Sequence, residues 1–178
     1  MTVRLSRRDF TASAAAAALL AGMPMVAGAA TAAAMTTRAR LLLGTMSAEQ
    51  HRVALLPFGS KDRKDWHFTP LPRPGITMEA MSTTERGLLR EFLATLLSAQ
   101  GLEKMDGVMK LEKVLHDRSF FSSFRNPLNY AVVVFGAPSD SDAWAWRFEG
   151  HHLSVSATVG PGIGVAATPA FFGANPQT

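Results

Sequence analysis

Residues 144–159, WAWRFEGHHLSVSATV, carry two alternating apolar series whose parity changes midway. Trp144, Trp146 and Phe148 take even positions; Leu153, Val155, Ala157 and Val159 take odd ones. Successive strand residues point to opposite faces, so one unbroken strand would put the two sets on opposite sides of a sheet. If both sets face one core, the register has to change by one residue between Phe148 and Leu153. Gly150 is the residue best suited to host a β-bulge there, and bulges re-aim side chains.

This expectation bears on His151 and His152. Around a bulge two adjacent side chains can fan toward one side, where Arg147 and Glu149 would complete a polar cluster. A carboxylate beside an imidazole fixes the ring's tautomer, either for general-base work or for metal ligation. The candidate catalytic group is therefore Arg147, Glu149, His151 and His152, with His151 and His152 as candidate ligands for a divalent transition metal. Plainer arrangements compete: a tight turn with both rings in solvent, a buried histidine bonded to a backbone carbonyl, or a surface Arg147–Glu149 pair worth under about 1 kcal/mol.

The N-terminus reads as an export signal. Arg4, Arg7 and Arg8 precede the weakly apolar Ala12–Ala21 run, and small-residue cleavage sites follow at 27–29 or 32–34. Ser6-Arg7-Arg8-Asp9-Phe10 resembles the twin-arginine signal. The expected organisation is a signal peptide over 1–34 and one domain over 35–178, periplasmic or secreted, with the twin-arginine export machinery as partner and no membrane anchor after cleavage. That route carries proteins folded before export, often around a cofactor. With no cysteine in the chain, disulfides, thiolate metal sites and a cysteine nucleophile are excluded. The charge of +4 arises from 18 basic and 14 acidic residues; without Arg4, Arg7, Arg8 and Asp9 it falls to +2, which is no nucleic-acid footprint.

The remaining roughly 145 residues are enough for a core. Capping boxes at Ser47/Gln50 and Ser82/Glu85 predict helices over 47–56 and from 82 to a glycine cap at Gly101. A third helix carries Met105, Val108, Met109, Leu111, Val114 and Leu115. "WHFT" is at most an edge strand, and the charged segment 60–66 reads as a solvated loop. Strands follow over 130–136, 143–150 and 151–159, with "VAAT" after a turn. The fold class is α+β, helices first and an antiparallel meander second, expected to be part of a larger domain because "TPAFFGANPQT" ends in a turn with no helix or strand to finish the layer. His51, His67 and His116 stand alone, without a ligand-type spacing.

Tyr130, Phe135-Gly136, Pro138, Trp144, Trp146-Arg147, the run from Glu149 to Ser154, and Thr168-Pro169 through Pro176 together resemble the bacterial domain of unknown function 3500 family. The resemblance covers most of the chain after the leader. It implies members that continue past Asn175-Pro176 into a second half with another histidine-bearing segment, so a longer functional unit is one expectation. The leading functional expectation is an exported metal-dependent enzyme, hydrolytic or oxidative. The alternative is a periplasmic binding or structural module in which the Trp144/Trp146 face holds a ligand.

Overall fold

A computed structural model describes residues 31–118 and 126–173, so the expected signal peptide, apart from residues 31–34, and the Asn175-Pro176 ending lie outside the described residues. Helix α1 spans 31–45. It starts upstream of Met35 and buries Met35, Ala39, Leu42 and Leu43. Helix α2 (Ala48–Ala54) runs into a two-residue strand β1 (Leu55–Leu56), and a second short strand, β2, covers Ile76–Thr77. Helices α3 (Thr83–Leu93) and α4 (Ala99–Arg118) precede strands β3 (Ala131–Phe135), β4 (Trp144–Gly150), β5 (Leu153–Gly160), β6 (Gly164–Ala166) and β7 (Ala170–Phe172). The fold is α+β.

Strand β3 is the branch point of the sheet: β1 pairs with it in parallel, β2 antiparallel, and β4 along its other edge. β5 pairs with β4, then with β6 near one end and β7 near the other. The sheet is thus mixed, and Phe171 and Phe172, expected to trail off in a turn, instead finish the layer as a strand. The "WHFT" segment forms no strand.

The parity change has a simpler cause than a bulge. β4 and β5 pair without interruption from Trp144↔Val159 to Gly150↔Leu153, leaving His151 and His152 as a two-residue hairpin turn. An even position then always faces an odd one, so Trp146 sits beside Ala157 and Phe148 beside Val155 on a single face. The expected register slip at Gly150 is absent, because a chain reversal between 150 and 153 achieves the same alignment. His152 adopts φ 61°, the left-handed conformation in which histidine is commoner than most side chains.

The helices cover one face of the sheet. Trp144, Trp146 and Phe148 lie fully buried there with Phe92, Leu89, Met105 and Val108. The Phe92 ring centroid is 4.8 Å from that of Trp146. The tryptophan pair is core, not a ligand-binding face. The opposite face holds a smaller cluster of Val133, Phe135 and Ala145 with Leu56 and Phe58, roofed by the segment after Pro57. Part of the charged stretch belongs to this roof: the Asp62 carbonyl accepts from Arg147, so the stretch is more than a solvated loop.

Both capping boxes form as their sequences dictate. The break after α3 falls at 94–98, ahead of Gly101. Ser98 supplies the cap, its Oγ accepting from the Gly101 N–H, which places this glycine in the first turn of α4 instead of closing α3. Glu85 is buried, which by itself would raise its pKa, but hydrogen bonds from Ser82 and Gln50 hold it below 4.5. A depressed carboxylate contributes stability that is complete above its unfolded pKa and lost as pH falls through its folded pKa. Glu85→Gln should therefore cost about 1 kcal/mol near neutrality and flatten the acid limb below about pH 4.3, read as urea midpoints across pH.

Candidate metal centre at the β4–β5 turn

The turn brings two imidazoles together above the end of the sheet. The rings of His151 and His152 stack with centroids 3.8 Å apart and planes at 25°. Across from them stands Glu112, from the fourth turn of α4, its side chain only 2% exposed. Glu112 Oε1 lies 2.8 Å from Nδ1 of His151 and 3.5 Å from Nδ1 of His152. Despite these distances, neither Glu112 oxygen nor His151 Nδ1 makes a hydrogen bond. Two nitrogens and a carboxylate oxygen, one from each residue, lie within 4.8 Å of one another. That donor set suits a divalent transition ion.

The turn's backbone is held on several sides. The His152 N–H donates to the Phe68 carbonyl at 2.9 Å, and the Gly173 N–H to the His152 carbonyl at 2.7 Å. The Tyr130 hydroxyl donates to the His151 carbonyl at 2.8 Å. Burial, and then the Glu112 carboxylate, push the Tyr130 phenol well above its usual range, with Arg73 partly opposing. Gly150 is required by this arrangement, since a Cβ there would enter the ring of Tyr130.

Residues 28–178 match the family described as protein of unknown function (DUF3500). The chain belongs to this family. No curated protein and no solved structure gives a match. In this DUF3500 chain the GHH run carries the hairpin turn itself, while Trp144, Trp146 and Arg147 build the two faces of the sheet beneath it.

Arg147 and Glu149 do not join the histidines. Their odd positions put them on the outer face, opposite Val133 and Ala131, whereas the imidazoles meet a helix from the core side. Arg147 Nε lies 2.9 Å from Glu149 Oε1, both side chains being 1% exposed, so the expected surface pair is a buried one. Glu149 Oε2 accepts from the His67 N–H and from Ser154 Oγ, each at 3.3 Å. Arg73 lies near enough for Glu149 and Tyr130 to oppose the lowering of its pKa by burial, with Arg147 adding to that lowering.

Glu112 escaped the sequence reading although a signal existed. The stripe that α4 buries runs Met105, Val108, Glu112, whereas Val114 is 40% exposed. A glutamate in the core stripe of an amphipathic helix is rarely buried without a partner or a function. His116 stands one turn further on, half-buried, and Glu-x-x-x-His is the spacing that places a carboxylate and an imidazole on one helix face.

Proposed function

We propose that this chain is an exported metal-dependent enzyme, hydrolytic or oxidative, whose metal is held by Glu112, His151 and His152. One observation carries the reading: a buried carboxylate with neither oxygen hydrogen-bonded, facing two stacked imidazoles at 2.8 and 3.5 Å. A carboxylate buried without hydrogen bonds is costly, and a cation shared with the imidazoles removes the cost. Three protein donors leave coordination positions for water or substrate, and the imidazoles, 15% and 20% exposed, keep the site in reach of solvent. Zinc bound this way would lower the pKa of its water for hydrolysis; two histidines and a carboxylate also suit iron(II) and oxidative chemistry. The twin-arginine leader supports loading before export to the periplasm or beyond. Among the described residues no helix is long and apolar enough to cross a membrane.

The test is metal content in protein folded in the cytoplasm, compared with the His151→Ala/His152→Ala double variant. Stoichiometric metal in the wild type and almost none in the variant is expected; equal content in both would overturn the metal reading. The many backbone bonds at the turn favour a second reading, a ligand-binding or structural module without catalysis. A large fall in melting temperature of the metal-free double variant would support it.

A further inference from the structure

Tyr130 is a buried hydroxyl-bearing side chain that the metal ligands alone do not explain. It is 1% exposed and immediately precedes β3. Its ring stacks on Phe148 at 5.9 Å and occupies the space that any side chain at position 150 would take. Its hydroxyl has one partner shown, the carbonyl of His151, which is the peptide joining the two proposed ligands. A two-residue turn has few torsions, and here one of its residues sits at φ 61°. Fixing that peptide therefore fixes the direction in which both imidazoles leave the backbone. A ring that only filled the core would need no hydroxyl at this spot; phenylalanine would pack as well.

We propose that Tyr130 is a positioning residue of the metal centre: its hydroxyl orients the His151–His152 peptide so that both Nδ1 atoms face Glu112. This inference rests on the metal reading above. Partners that orient ligands in this indirect way typically account for 10–100-fold in metal affinity when removed. The hydroxyl acts on the ligands through the backbone and does not itself touch the ion.

The chain contains a single tyrosine, so 3-fluorotyrosine labels Tyr130 alone. Zinc titration of the full chain, its Tyr130→Phe variant and the fluorinated wild type separates the outcomes. Expected are a metal-free Tyr130→Phe melting within a few degrees of wild type, a zinc dissociation constant raised about 10–100-fold, and a fluorine resonance that shifts in step with zinc binding. With cobalt in place of zinc, the visible spectrum of the variant should also differ, which a purely packing role would not cause. Zinc binding of equal strength in wild type and Tyr130→Phe overturns the role of Tyr130 and leaves the metal centre standing. Absence of binding in the wild type overturns both. If Tyr130→Phe fails to fold, the fluorine signal decides: unmoved on zinc saturation, it overturns the inference; moved, it supports it.

Discussion

Glu112→Met is expected to raise the melting temperature of the metal-free protein while abolishing metal binding. The carboxylate is 2% exposed and its oxygens make no hydrogen bond, so in the metal-free fold the two imidazoles alone offset its desolvation. Leaving a buried polar group unsatisfied costs about 1–3 kcal/mol, and replacing a buried charge by an apolar group of similar volume is often stabilising. Methionine matches the length of glutamate and would extend the Met105, Val108 stripe that α4 already buries. A gain of about 2 kcal/mol corresponds to a rise of several degrees for a domain of this size. Thermal melts with a chelator give the stability arm; zinc titration gives the binding arm. A lower melting temperature would mean that the carboxylate serves the fold, and the energetic case for the centre would collapse. Raised stability with lost binding is the pattern of a residue kept for function at the expense of the fold.

Arg147→Ala should be the most damaging single change on the outer face, lowering stability by about 3–5 kcal/mol. Removing the guanidinium leaves Glu149 buried without its ion-pair partner, and frees the Asp62 carbonyl that Arg147 Nη1 reaches at 2.8 Å. It also deletes the cation 5.6 Å above the Phe135 ring. The roof over this face is fastened by the same groups, since the His67 N–H bonds Glu149. Urea denaturation should show a much lower midpoint. The double variant Arg147→Met/Glu149→Leu should recover most of the loss, because the fully buried pair is removed as a whole and only the half-buried Arg73 loses the Glu149 carboxylate. Its zinc affinity should stay within a few-fold of wild type, as the pair lies across the sheet from Glu112. A tenfold or greater loss of affinity in a stable double variant would return Arg147 and Glu149 to the site.

Much of the local structure was legible in the sequence. The two capping boxes are closed within four residues and need no tertiary help. The alternations 144–148 and 153–159 were each legible as one apolar face, and they share a core only because the connection between them changes the parity. What the alternation left open was the connection itself, since a bulge and a two-residue reversal shift parity equally. Strands β1 and β2 were illegible, because two residues carry no period and exist only where β3 offers its edge.

The site divides the same way. The sequence by itself determined that the chain is cysteine-free, that two histidines adjoin Gly150, and that nitrogen and oxygen donors are the ones at hand. Only the tertiary structure decided which carboxylate meets them. Glu149 is two residues from His151 yet points to the other face, because strand neighbours alternate and the hairpin turns back before they can converge. Glu112 is 39 residues away from His151 in the chain and arrives through the packing of α4 on the core face. Proximity along a strand is overruled by which face a side chain takes, and that choice is made by the core.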